Sequence, residues 1–216
     1  MHRNHLLLRV ARRLAAYRQR FLNFSYTIRA RWYEKRYYPQ VGKIATHLTP
    51  EEKYVLYGLS RDISSQHANA VFLEIGSYVG ASAVTIASAF SNNTSLYCVD
   101  TWQNETMPDG LRDTFEEFTE NTRHLSSYIT PLRGRSEAVA VSFDKTLDFI
   151  FFDGDHSYEG IKTDVDCWLP RLVSGGIAVF HDSGWAEGVQ RVIQEEILPR
   201  ALEHGSLPNM VWAKLP

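Results

Sequence analysis

The chain has 216 residues, 44% of them hydrophobic and 12% aromatic, which suits one globular domain with a buried core plus some extra chain. Its formal net charge of −2 excludes a polyanion binder acting by bulk charge, and no nucleic-acid partner is expected. No run approaches the roughly 20 apolar residues of a membrane span. The stretch Leu6-Leu7-Leu8 before Arg9 is too short for a secretory h-region of about 7–15 residues. Cys98 and Cys167 form no Cys-x-x-Cys pair, so both read as reduced packing residues of a cytoplasmic protein.

Charge is unevenly spread. Residues 1–38 carry ten Lys and Arg against one acid, Glu34, a net +9, while the remainder carries −11. Within this arm Leu7, Val10, Ala11, Leu14, Tyr17, Phe21 and Phe24 recur at helical spacing between arginines. Residues 1–45 are thus expected to form a basic amphipathic helical arm, and 46–216 the main domain. Such an arm suits packing on its own domain or on a dimer mate, or contact with an anionic inner-membrane surface or other partner.

The first sharp boundary is Thr49-Pro50-Glu51-Glu52, which has the signature of a capping box with Pro at N1. A helix is expected from there to about Ser64. Strands and helices then alternate. Strands are predicted at Val71–Ile75, Ser95–Val99, Tyr128–Leu132, Leu147–Phe152 and Gly176–Phe180. Helices are predicted over 79–90, Leu111–His124, from Ser136, over 157–169 and over 186–200. Short continuous apolar runs are what strands buried on both faces look like. The alternation implies right-handed crossovers and a single doubly wound parallel sheet, an α/β Rossmann-like fold. Pro208–Lys214 offers one last weak strand, so the sheet edge is expected to be shortened or completed by a partner.

In such a sheet ligands bind beyond the carboxyl ends of the strands. After the first strand stands Glu74-Ile75-Gly76-Ser77-Tyr78-Val79-Gly80, a turn that lets a ligand approach backbone; a plain strand–helix turn explains it equally well. After the second stands Asp100, 24 residues beyond Gly76, near the spacing at which an acid binds ribose hydroxyls. Trp102 beside it suits either an adenine face or the core. Ser136, after the third strand, suits a helix cap and an adenine contact. The fourth strand ends in Asp153-Gly154-Asp155-His156 and the fifth in Phe180-His181-Asp182. Carboxylates and imidazoles brought together at the ends of apolar strands suit a hard divalent cation, Mg²⁺ or Mn²⁺. Caps and structural histidines are the alternative.

Together these segments resemble a family. Glu74 to Ser82 is similar to the first motif of class I S-adenosylmethionine-dependent methyltransferases, in particular metal-dependent O-methyltransferases of the catechol and caffeoyl-CoA type. Asp153 to Glu159 with Phe180-His181-Asp182 resembles a bacterial branch containing sugar and macrolide O-methyltransferases and relatives from polysaccharide gene clusters. The resemblance covers about residues 46–200. It implies that Gly76, Ser77, Tyr78 and Gly80 contact the methionine part of S-adenosyl-L-methionine, and that Glu74 holds that loop or the cofactor's amino group. It implies Asp100 on the ribose, Trp102 beside the adenine, Ser136 at the adenine edge, and Asp153 serving cofactor and metal. Asp182 matches a second metal ligand. Ser183 stands where the plant and animal enzymes have Asn, so the third ligand falls to His181, Asp155 or His156.

A sugar hydroxyl is a poor nucleophile at neutral pH, so a cation would lower its pKa and a base would take its proton. His156 is the first choice of base and His181 the second. The segment 103–127, with Met107-Pro108-Asp109-Gly110, Phe115 and Phe118, reads as a mobile cover for a small-molecule or oligosaccharide acceptor. Three rivals stand beside this reading. A nicotinamide enzyme would need Gly-x-Gly-x-x-Gly, and only Gly76 and Gly80 are present. The others are a non-catalytic scaffold acting through the arm and a metal-independent methyltransferase using His156 alone.

Overall fold

A computed structural model of the protein describes residues 30, 32, 33, 36, 41–91, 93–104 and 110–216. The expected amphipathic stretch Leu7–Phe24 and the Met107-Pro108-Asp109 turn lie outside the described residues. Helix α1 spans Pro50–Gln66 and is fixed at its start by Thr49. The Thr49 hydroxyl accepts from the Glu52 amide at 3.3 Å, and the Glu52 carboxylate accepts from the Thr49 amide at 2.7 Å. The reciprocal pair satisfies two amides that have no partner inside the helix.

Five strands follow in alternation with helices: β1 Val71–Ile75, β2 Ser95–Asp100, β3 Ile129–Arg133, β4 Leu147–Phe152 and β5 Leu172–His181. The intervening helices are α2 Ala81–Ala87, α3 Phe115–Thr122, α4 Ser136–Ser142 and α5 Tyr158–Trp168, and α6 Glu187–Val192 follows β5. These five strands pair with one another in parallel. The helix expected over 186–200 is split: after α6 come a π turn, Ile193–Ile197, and a 3₁₀ turn, Leu198–Arg200. Pro199 lacks the N–H that would continue the α ladder.

The tail corrects the sequence reading. Instead of one weak strand it forms a hairpin, β6 Glu203–Leu207 and β7 Met210–Lys214, with β7 antiparallel to β5. The seven-stranded order is β3-β2-β1-β4-β5-β7-β6, completed within this chain. β6 escaped notice because Glu203-His204-Gly205-Ser206-Leu207 is an exposed edge strand with one large apolar residue. Gly205 belongs there because the Trp212 ring lies over it; a Cβ would come within 2.4 Å of that ring.

The apolar run of β4 divides between two cores, as a strand covered on both faces must. Ile150 and Phe152 pack with Leu73, Val165 and Trp168 on one side. Phe149 and Phe151 pack with Phe72, Leu96 and Trp102 on the other. The residues just before α1 also belong to the domain. Tyr33 packs against Tyr57 with ring centroids 4.8 Å apart, and Val41 and Ile44 pack with Val79 and Val84. Among the described residues no helix is long and apolar enough to cross a membrane.

Candidate active site

Strand order reverses between β1 and β4, which opens a crevice beyond their carboxyl ends. A cavity of about 780 Å³ lies there, lined by residues that follow each of the five parallel strands. The cavity wall includes Gly76, Ser77, Tyr78, Asp100, Ser136, Asp153, Asp155, His156, His181 and Asp182.

The loop after β1 is built around a close approach of two backbones. Gly76 has φ +84°, and a Cβ there would sit 2.1 Å from the Asp153 carbonyl oxygen. What glycine admits at this point is the end of β4. Gly80, expected to touch a cofactor, has φ +91° and packs instead against Thr122 and Phe118, off the cavity wall. Glu74 is fully buried behind the loop, and its carboxylate accepts from the Ser77 hydroxyl at 2.6 Å. Burial pushes the Glu74 pKa up to about 7, with the bonds from Ser77, Ser82 and Cys98 working against that shift.

Asp100 clamps the same loop from the end of β2. One carboxylate oxygen accepts from the Ser77 and Tyr78 amides, both at 2.8 Å, and the other from the Trp102 amide at 2.7 Å. Burial raises its pKa, and these backbone amides counteract part of the rise. Trp102 departs from the expected adenine contact. It is fully buried between Phe115 and Phe118, with its Nε1 donating to the Tyr78 carbonyl at 2.9 Å, and it does not line the cavity. Trp102 adopts a positive φ of +53°. Phe115 and Phe118 therefore serve the core, although Asn104 and Thr114 of the expected cover do reach the cavity. Ser136 lies on the wall but does not cap α4, whose N-cap is Arg135; its hydroxyl accepts from Trp168 Nε1 at 2.7 Å.

Beyond β4 and β5 the titratable groups converge. Ligand atoms of Asp153, His181 and Asp182 all lie within 4.8 Å of one another. His181 Nδ1 is 3.0 Å from Asp153 and 3.4 Å from Asp182, and Nε2 is 3.5 Å from Glu52. Burial opposes a charged His181 ring, but Asp153, Asp182 and Glu52 outweigh it and hold its pKa far above the usual histidine range. Burial raises the Asp153 pKa, with His181 pulling against it. Burial would also raise the Asp182 pKa, yet His156, His181 and Asn209 bring it well below the carboxylate range. His156 Nε2 meets Asp182 at 2.8 Å, and that hydrogen bond raises the His156 pKa despite partial burial.

Asp155, expected among the metal ligands, stands apart from this group. Its carboxylate accepts from the Ser157 amide at 2.8 Å and folds over Gly160 at the start of α5. Two other residues enter unpredicted. Glu52 reaches His181 from the capping box of α1, where its helix-start role accounts fully for its presence in the sequence. Asn209 arrives from the β6–β7 turn, donating to Asp182 at 3.0 Å and accepting from the Gly184 amide at 3.0 Å. It supplies an amide beside Asp182 that Ser183 does not. Ala45, Thr46, His47 and Leu48 also form cavity wall, ahead of any motif. Asp164, buried on α5 and on the wall near Ser136, was equally unpredicted; burial first, then Glu137 and Asp155, raise its pKa to about 6, against the Ser136 hydrogen bond.

Comparisons with known proteins agree with this architecture. Among solved structures, the O-methyltransferase NovP is 17% identical, covering 79% of this chain and 81% of that one, with a TM-score of 0.67. An O-methyltransferase from Bacillus cereus in complex with S-adenosylhomocysteine is 16% identical (80% and 84% covered, TM-score 0.61). TomG of Streptomyces achromogenes, an O-methyltransferase involved in tomaymycin synthesis and solved with S-adenosylmethionine, is 15% identical (78% and 81% covered, TM-score 0.60). At these identities the likeness is one of fold. A Sinorhizobium fredii protein, y4gI, is 26% identical over 118 residues, which is 51% of this chain but 13% of that relative's length. The family described as a methyltransferase domain matches residues 73–183, more than half of the chain. With its doubly wound sheet and the crevice at the β1/β4 switch point, the chain belongs to the methyltransferase domain family and has the class I fold.

Proposed function

We propose that the protein transfers a methyl group from S-adenosyl-L-methionine to a hydroxyl oxygen of a sugar-containing small molecule or oligosaccharide. The observation that carries this reading is the His156–Asp182 pair on the wall of the same cavity as the Gly76–Tyr78 loop. The three solved relatives named above are O-methyltransferases, and two of them hold the cofactor or its demethylated product. The cavity, about 780 Å³, fits a cofactor-sized molecule. S-adenosyl-L-methionine, bound there, would supply an electrophilic methyl on a sulfonium. Asp100 and Ser136 present acceptor groups for ribose and adenine, and Ser77 and Tyr78 present the loop for the methionine end. His156, oriented through Nε2 by Asp182, keeps Nδ1 for the acceptor's proton. Holding acceptor and donor in one crevice supplies the alignment that an in-line displacement needs.

A divalent cation belongs to this reading. Two carboxylates and one imidazole within 4.8 Å suit Mg²⁺ or Mn²⁺ held by Asp153, Asp182 and His181, where it would lower the pKa of the acceptor hydroxyl. A second reading, methyl transfer without metal, draws on the ring of Glu52, Asp153 and Asp182 around His181: the imidazolium itself neutralises those carboxylates.

Calorimetric titration with S-adenosylhomocysteine, with EDTA and with Mg²⁺ or Mn²⁺, tests the proposal. We expect micromolar binding, weakened about 10-fold or more in Asp100→Asn, a loss of at least ~1.4 kcal/mol. Absence of binding under every metal condition refutes it. Turnover that survives EDTA selects the metal-free reading.

A further inference from the structure

Trp185 occupies the turn between β5 and α6. It lines the cavity yet leaves 62% of its surface exposed, whereas Trp102 and Trp168 are fully buried. A single exposed aromatic needs no explanation by itself; Trp185 is different because it is both fixed and placed. Its Nε1 donates to the Asp182 carboxylate at 2.7 Å. Its ring meets His156 edge to face, with centroids 5.1 Å apart and planes at 79°. The turn itself is clamped on the β6–β7 hairpin: the Gly184 amide donates to Asn209, and a Cβ on Gly184 would sit 2.4 Å from the Pro208 carbonyl oxygen. The indole is thus held in one orientation before any ligand arrives, so little side-chain freedom is lost on binding.

The surroundings narrow the ligand. The ring borders His156 and Asp182, and Asn209 joins them through its bond to Asp182, a group of hydrogen-bonding side chains. An apolar face beside a polar row matches a molecule with a C–H face and a rim of hydroxyls, and a pyranose has both. A simple phenol offers the flat face but only one or two hydroxyls. We propose that the indole of Trp185 is the acceptor platform, stacking the C–H face of a pyranose ring and presenting one ring hydroxyl to His156. This rests on the O-methyl transfer reading above and names the part of the acceptor recognised.

Saturation-transfer NMR on the full chain tests it, using millimolar methyl pyranosides of glucose, galactose, mannose, rhamnose and xylose, and catechol as the aromatic comparison. Spectra are taken with and without S-adenosylhomocysteine. We expect saturation on the ring C–H protons of at least one pyranoside, about five- to ten-fold weaker binding in Trp185→Ala, and recovery of most of it in Trp185→Phe. Phenylalanine restores the flat face but not the bond to Asp182, so recovery separates stacking from a mere hold on that carboxylate. S-adenosylhomocysteine affinity by calorimetry should stay within about two-fold of wild type in both variants. The proposal is overturned if no pyranoside takes up saturation from wild type, if only catechol does, or if Trp185→Ala matches wild type. Pyranoside signals that depend on Trp185 without any S-adenosylhomocysteine binding would keep the platform and remove methyl transfer.

Discussion

Replacing Glu74 with Gln isolates the electrostatic cost of a fully buried carboxylate. Its pKa rises from an ordinary 4.5 to about 7 because burial disfavours the charged form more than Ser77, Ser82 and Cys98 favour it. In the unfolded chain the same group titrates near its ordinary value. Between those two values the folded protein holds a proton that the unfolded chain has released. The contribution of Glu74 to stability therefore falls as pH rises from about 4.5 to about 7 and then levels off, at a full cost of about 3 kcal/mol. Glu74→Gln cannot ionise, so its stability relative to wild type should increase by about 2.5 kcal/mol between about pH 5 and pH 8. Any fixed cost of burying the amide is common to both conditions and cancels in that difference. Urea unfolding followed by tryptophan fluorescence at several pH values measures it. A difference between variant and wild type that stays flat with pH would refute the reasoning, because Glu74 would then titrate alike in both states.

Two further outcomes test the scaffold of the site. Thr49→Ala removes the hydroxyl half of the capping box and should cost about 1 kcal/mol, roughly 2–4 °C in Tm by calorimetry. Gly76→Ala and Gly110→Ala form a matched pair at φ +84° and +82°, but a Cβ meets the Asp153 carbonyl at 2.1 Å in the first and nothing within 4 Å in the second. Gly110→Ala should lose only about 1–2 kcal/mol, whereas Gly76→Ala should fail to give folded protein; equal stability of the two would disprove the backbone collision.

Much of the fold was legible because local chemistry and tertiary structure agree there. Thr49-Pro50-Glu51-Glu52 announces α1, and the apolar run Leu147–Phe152 announces a strand covered on both faces. β6 was not legible, since an exposed edge strand needs no apolar pattern. The site residues divide in the same way. Strand ends place Asp153, His181 and Asp182 together, because parallel neighbours finish side by side. Trp102 and Gly80 sit in the same motifs yet pack against Phe118 in the core, a placement that composition does not encode.

By itself the sequence determined the strand–helix alternation, the parallel sheet and the positions at which acids and histidines leave the strands. Periodicity and capping act within a few residues, and that range was enough for those features. Only the tertiary structure decided that Glu52 and Asn209, 157 residues apart in the chain, close on His181 from a helix start and a hairpin turn. It also decided that Asp155 turns back on its own helix while Trp185 stands open beside His156. Such contacts are fixed by how whole elements pack against one another, and no local pattern carries that information.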